Sequence, residues 1–339
     1  MSEITNVNIQ KMYDLKGLRN VVVQKANVGS KFIYALQLKN NGSDEVEVYR
    51  ANPDKSFNTK RNMLCLYGPN YSDAKQPAGG HTQTWEYAGD STNQHNYNGE
   101  WFIGTKGKVQ KDSNIYWDTQ IARVKFSTNK QENTYTYNTE LSRISNLNQA
   151  GRCKGLGYDG RTLVRSEAAV SPSQSGYNYF LIITVDNKGT GYFSLYNLVD
   201  INDALNKSGK NDVNLKTNDY LAHKCIKAFK IDNLTTKVGS LQGFDIDENL
   251  NIYISSEKAP TNNKNNPRKI VKIPWNTTET NQWTFINLDN YSTLDIKGHT
   301  TEFEGIQVIN ENNLYLTVAY HGKNITEQNI IYNINWVEQ

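Results

Sequence analysis

Cysteine is scarce in this chain: Cys65, Cys153 and Cys225 are the three among 339 residues. An odd, sparse set is no disulfide framework, and at most one bridge could form. No Cys-x-x-Cys pair occurs, which argues against a structural zinc site. Proline is rare, at 7, and long apolar runs are missing. The most apolar stretch, Tyr179–Val185, is far too short to span a bilayer. No amphipathic segment suited to a membrane surface is visible. The N-terminus, Met1-Ser2-Glu3-Ile4-Thr5, lacks the basic and apolar regions of a cleavable secretory signal. A protein acting outside the cell would then leave by another route. Charge of one sign is lacking too. The 37 basic and 34 acidic residues leave a net +3, spread evenly, which gives no nucleic-acid footprint. Gly-x-Ser-x-Gly elbows, Walker loops, His-Glu-x-x-His helices and Gly-x-Gly-x-x-Gly after a strand are all missing.

What is present is tyrosine, at 21 residues, together with abundant asparagine and 23 glycines. Tyr favours strands and Asn favours tight turns, so many short strands joined by polar loops are expected. Five segments repeat one pattern: a strand-like stretch with one amide or carboxylate, a turn, a strongly β-prone strand, then a third strand. They begin at Val22-Val23-Gln24, Thr84-Trp85-Glu86, Arg165-Ser166-Glu167, Leu241-Gln242-Gly243 and Phe303-Glu304-Gly305. The second strands read as Lys31–Leu38, Trp101–Thr105, Tyr179–Val185, Asn251–Ser255 and Leu314–Tyr320. The third strands read as Val46–Arg50, Gln120–Phe126, Tyr192–Leu198, Lys269–Pro274 and Ile330–Trp336.

Repeats of a strand-turn-strand-strand unit point to a radial β-propeller, here with five blades. No linker divides the chain, so residues 1–339 read as one all-β domain. Asp200–Asn206, followed by Gly209, is the one good helix candidate. The last repeat shows three strands, and open sheet edges invite aggregation. The N-terminal strand, Ile4–Gln10, is therefore expected to join the last blade and close the ring. The loop Ala88–Gly99 separates the first and second strands of its blade and should overhang one face.

Several stretches are distinctive. They include Gly79-Gly80-His81-Thr82-Gln83-Thr84-Trp85-Glu86-Tyr87-Ala88-Gly89-Asp90, Trp101-Phe102-Ile103-Gly104, Gln120-Ile121-Ala122-Arg123-Val124 and Glu167-Ala168-Ala169-Val170-Ser171-Pro172. Ile252-Tyr253-Ile254-Ser255-Ser256, Ile270-Val271-Lys272-Ile273-Pro274 and Tyr315-Leu316-Thr317-Val318-Ala319-Tyr320-His321 follow in the second half. In these the chain resembles the helveticin J family, the class III bacteriocins of lactobacilli, over almost its whole length. The resemblance implies a secreted or released antibacterial protein acting on related Gram-positive bacteria. It supplies no catalytic residues. One departure concerns a histidine that the family pattern places shortly before Glu-Ala-Ala-Val-Ser, where this chain has Arg165-Ser166.

In a propeller the innermost strands surround a central channel. Gln24, Glu86, Glu167, Gln242 and Glu304 would then form a channel-lining ring of three carboxylates and two amides. Crowded carboxylates repel one another and raise at least one pKa, which is how a general acid arises beside an ionised partner. Glu86, Glu167 and Glu304 are thus candidate catalytic residues of a cell-wall glycoside hydrolase. The same ring could merely solvate the channel, or hold Ca2+ through its oxygens; no cofactor is otherwise required. His81 and His299 each follow a glycine and precede a marker glutamate by five residues. They would be supporting residues, as bases, ligands or struts between blades. Sugars stack on aromatic rings, and Tyr71, Tyr97 and Tyr158 lie in loops as candidate glycan contacts. The favoured reading is non-enzymatic recognition of a cell-envelope glycan or teichoic-acid-like polymer. Wall hydrolysis and a surface-adhesion role are the alternatives.

Overall fold

The structure, a computed structural model, describes residues 2–39, 45–61, 63–70, 75–89, 99–109, 116–127, 133–158, 163–172, 179–257, 267–322 and 328–338. The chain opens with β1 (Ser2–Ile4) and β2 (Val7–Asp14), then builds five sheets in succession. Blade one contains β3 (Val23–Val28), β4 (Ile33–Leu38), β5 (Glu45–Ala51) and β6 (Met63–Tyr67). Blade two contains β7 (Trp85–Tyr87), β8 (Glu100–Val109) and β9 (Tyr116–Lys125); after β10 (Thr134–Tyr135) it ends with β11 (Ser142–Ser145). Blade three has β12 (Leu163–Val170), β13 (Tyr179–Asp186) and β14 (Gly191–Asn197). An excursion through α1 (Leu198–Ser208), β15 (Asp212–Asn214) and α2 (Asp219–His223) precedes its outer strand β16 (Lys227–Ile231). After α3 (Leu234–Val238), blade four has β17 (Phe244–Ile246), β18 (Ile252–Ser256), β19 (Lys269–Ile273) and β20 (Thr284–Asn287). Blade five has β21 (His299–Asn310), β22 (Asn313–Gly322) and β23 (Gln328–Trp336), completed by β2.

The ring is a five-bladed propeller, as the repeats imply, and it closes where the sequence places closure. β2 pairs antiparallel with β23, from Val7 opposite Trp336 to Asp14 opposite Ile330. The expected single N-terminal strand is in fact two. β1 turns to the neighbouring blade and pairs in parallel with β20, Ser2 opposite Thr284.

That parallel addition recurs. β10 adds to β6 of blade one, and β15 adds to β11 of blade two. Each added strand lies just before the outer strand of its own blade and caps the outer edge of the blade before it. Pairing removes the exposed N–H and C=O groups of those edges. Blades three and five lack such a cap among the described residues.

Five apolar clusters lie between the blades. One joins blades one and two through Leu36, Val48, Trp85, Trp101 and Ile103. Others join two to three, three to four and four to five. The last, with Val23, Ala35, Tyr49 and Ile331, joins five back to one. A blade with a neighbour on each face buries both sides of its central strands. That is why β13, Tyr179–Asp186, reads as a continuous apolar run and not as an alternation. The helix over Leu198–Ser208 presses Ile201, Ala204 and Leu205 into the cluster between blades two and three.

Candidate functional site

The five innermost strands, β3, β7, β12, β17 and β21, converge on the axis and pinch it. A Cβ at Gly243 would lie 2.6 Å from Gly305 Cα, and one at Gly305 would lie 2.7 Å from Gln24 O. Both glycines are needed because the strands approach too closely for any side chain. The pinch separates two polar regions at opposite ends of the axis.

At the end where the inner strands enter, one residue gathers four of the five marker residues, three by its side chain and one by its backbone. Gln83 Nε2 donates to Glu304 Oε2, to Gln242 Oε1 at 3.3 Å and to Gln24 Oε1 at 3.4 Å. Its backbone N–H donates to the Glu167 carboxylate at 3.1 Å. Its side-chain Oε1 accepts from Arg165 Nη2 at 2.7 Å. Arg165 is 5% exposed and all three of its guanidinium nitrogens donate. It also donates to Glu167 Oε1 (3.0 Å), Leu241 O (2.7 Å) and Gln242 O (2.8 Å), with its Cζ 3.9 Å from the Trp117 ring centroid. Glu167 further accepts from Thr84 Oγ1 at 2.6 Å and Thr82 Oγ1 at 3.3 Å. Glu167 and Glu304 are therefore buried parts of a filled hydrogen-bond network, 2% exposed each. Beside Glu167 lies Asp118, fully buried, with no hydrogen-bond partner on either carboxylate oxygen among the described residues. Burial, and then the Glu167 charge, push its pKa well above the ordinary carboxylate value.

His81 belongs to this end. Its Nε2 donates to Gln24 Oε1 at 2.8 Å and its ring lies 4.0 Å from Trp117. An amide oxygen can only accept, so Nδ1 carries the lone pair, and that atom is buried without a partner among the described residues. Burial, and then the Arg165 charge, lower its pKa to about 3. His299 does not join it. That ring is half-buried at the start of β21, with Nδ1 3.3 Å from Lys297 O. The matching Gly-His-Thr spacing thus places two histidines in different surroundings.

Glu86 faces the other way. It is paired with Lys25 at 2.6 Å, and Lys25 is wholly buried. Asp245 lies near the same ammonium and accepts from the N–H groups of Val308 (2.6 Å) and Ile246 (2.8 Å). One cation cannot balance two buried carboxylates. Burial is the main cause that raises Glu86, with Asp245 adding to it, while Lys25 opposes the rise. Burial likewise raises Asp245, to about 6. The carboxylates in turn hold Lys25 protonated against the opposing effect of its burial.

Glu86 and Asp245 sit at the base of a cavity of about 500 Å³ that opens at the exit ends of the inner strands. Its walls include Asn27, Gln307, Tyr13 and Tyr315. Gln307 clamps blade five to blade one, accepting from Val28 N at 2.7 Å and donating to Val28 O at 3.2 Å. Gly29, Ser30 and Pro172, in the turns from first to second strands, form the rim. Glu86 is the one candidate catalytic residue that lines this cavity; Glu167 and Glu304 do not. Of the candidate glycan contacts, Tyr158 stacks on Tyr192 in blade three at 4.2 Å, away from the cavity. Tyr71, Tyr97 and most of the loop at 88–99 lie outside the described residues. No group of three or more His, Cys, Asp or Glu among the described residues is placed to hold a metal ion. No helix among them is long and apolar enough to cross a membrane.

The model of the family described as "Bacteriocin helveticin-J" matches residues 3–337. The chain belongs to the helveticin-J family. It is 40% identical over 350 residues to the bacteriocin helveticin-J of Lactobacillus helveticus, covering 99% of each chain. The fold is also similar to the tail fibre of Staphylococcus aureus phage P68, with a TM-score of 0.51 at 15% identity. That match covers 97% of this chain and 53% of the fibre, so the chain spans about half the fibre's length. The helveticin-J family is one of bacteriocins, which are antibacterial proteins. Within the stretch Gly79–Asp90 that carries the family resemblance lie Thr82, Gln83, Thr84 and Glu86, which serve both ends of the axis.

Sequence reasoning missed Gln83, Lys25 and Asp245, and noticed Arg165 only as a departure from the family pattern. A charged residue inside a strand otherwise buried on both faces is the signal that could have found Lys25, Arg165 and Asp245.

Proposed function

We propose that this member of the helveticin-J family is released from its producer and acts on Gram-positive cells by binding an envelope glycan in the axial cavity. The carrying observation is that cavity: about 500 Å³, on the axis, walled by two tyrosines and by amides, with carboxyl groups beneath. Its size suits one or two sugar units. Tyr13 and Tyr315 offer ring faces for C–H surfaces, and Asn27 and Glu86 offer partners for hydroxyls. A wall polysaccharide or a teichoic-acid-like polymer meets these requirements.

The test is binding of the purified protein to walls from sensitive cells, compared with a Tyr13→Ala, Tyr315→Ala variant. At least a tenfold weaker binding by the folded variant is expected, as when an aromatic anchor is lost. Undiminished binding would remove the cavity from the proposal. A second reading, wall hydrolysis, is favoured by the raised pKa values of Glu86 and Asp245 at the cavity base. Reducing sugar released by wild type but not by Asp245→Asn would establish it. Binding with neither sugar release nor loss of viability would instead indicate adhesion.

A further inference from the structure

A second cavity, of about 370 Å³, lies on the flank of blade four where α3 faces it. Three cations, Lys237, Arg268 and Lys269, share its lining with the ring of Phe285. Two are engaged. Lys237 Nζ donates to Thr278 O at 2.8 Å and faces Glu279, and Arg268 donates to Asp295 Oδ1 at 2.8 Å and to Asp289 O. Lys269 differs. It is half-buried at the start of β19 with Nζ 5.5 Å from the Phe285 centroid, and it has no hydrogen-bond acceptor or ion-pair partner among the described residues. An ammonium drawn from water with no acceptor in contact is unfavourable, and one aromatic ring offsets only part of that. Burial lowers its pKa from the ordinary lysine value, and the charge of Asp289 opposes that fall only in part. Acceptors stand on the same cavity's rim. Glu3 Oε1 accepts from Asn287 Nδ2 at 2.9 Å, and Asp289 Oδ1 accepts from Arg268 N.

We propose that this flank cavity binds a phosphorylated polyol or sugar. The phosphoryl oxygens accept from Lys269, the cation of the three that has no ion-pair partner among the described residues. Charge-assisted bonds of this kind are the strong ones. The carbon skeleton lies along Phe285, and the hydroxyl groups donate to Glu3 and Asp289. The two rim carboxylates repel a bare phosphate, so the cavity favours a phosphoryl group whose other end carries hydroxyls. The site is separate from the axial cavity and stands whether or not that cavity binds glycan.

Calorimetric titration of the full chain with glycerol 3-phosphate tests it, with glycerol and inorganic phosphate as comparison probes. Saturable binding of glycerol 3-phosphate is expected, weaker binding of phosphate, and none of glycerol. Lys269→Gln should weaken binding about tenfold, the cost of one charge-assisted contact, with the melting temperature unchanged. Lys269→Arg should retain binding. Should Lys269→Gln melt early, Asn287→Asp, which sets another anion on the rim, must weaken binding in its place. No saturable binding, equal binding of glycerol, or full affinity in both Lys269→Gln and Asn287→Asp would overturn the proposal.

Discussion

The two ends of the axis each hold one buried cation, and they use it differently. At the entrance, Arg165 spreads its donors over Glu167, Gln83 and two backbone carbonyls. At the exit, Lys25 is a point charge set between Glu86 and Asp245. The first end is a matter of geometry, since the planar fork fits acceptors in fixed directions. The second is a matter of charge balance, since two carboxyl groups compete for one ammonium. A filled network and a charged cavity floor thus lie on either side of the same glycine pinch.

The sharpest way to separate them is to remove each cation. Lys25→Met and Arg165→Met should each lose about 3–5 kcal/mol in urea unfolding, because each leaves buried partners uncompensated. Removing the nearest acid as well should tell them apart. Lys25→Met with Glu86→Gln should recover at least half of its loss, whereas Arg165→Met with Glu167→Gln should recover little. Equal recovery at both ends would break the comparison. Next in size is the pinch between them. Gly305→Ala forces a Cβ against Gln24 O and Lys25 Cα and should cost about 1–3 kcal/mol by the same measurement.

The pH dependence should carry opposite signs. Glu86 is raised from its ordinary 4.5 to about 8, so its proton stabilises the fold in acid and that contribution is lost as pH rises through this window. Asp245 adds the same sign between 3.8 and about 6. His81 is lowered from 6.5 to about 3, so its contribution is complete above 6.5 and is lost as pH falls toward 3. Melting temperatures across pH should therefore lose part of their alkaline fall in Glu86→Gln and part of their acid fall in His81→Gln. A variant that changed the opposite limb would refute the assignment. The smallest stability effect should come from Tyr315→Phe, within about 0.5 kcal/mol of wild type. Its wall binding should nonetheless weaken about fivefold, through one lost hydroxyl.

Much of this architecture can be read before folding, for a physical reason. Second strands such as Tyr179–Val185 and Leu314–Tyr320 are buried on both faces, so they stand out as dense β-prone runs. Outer strands do not. β6 and β11 are short and lie beyond polar excursions, and β10 and β15 are only two and three residues long. The marker residues are legible as lone polar side chains in inner strands, and four of the five do meet. Their register is less legible, because bulges interrupt β3 after Val23 and β21 after Phe303. Such a shift alters which side chain meets the axis. In blade two the residue that joins the others is Gln83, three positions before Glu86. Lys25 sits beside a marker and reads as a solvated lysine until both neighbouring blades are in place.

The two strands that come before blade one in the chain finish the last two blades of the ring. β2 must wait for β23, and β1 for β20, across nearly the whole length of the chain. Until then both N-terminal strands have unsatisfied edges, and the first and fifth blades have no shared core. Contacts so distant in sequence form slowly, on the scale of milliseconds to seconds for β-rich domains. Completion of the ring is therefore a late step of folding, and whatever keeps β2 from β23 controls when the axial cavity comes into being.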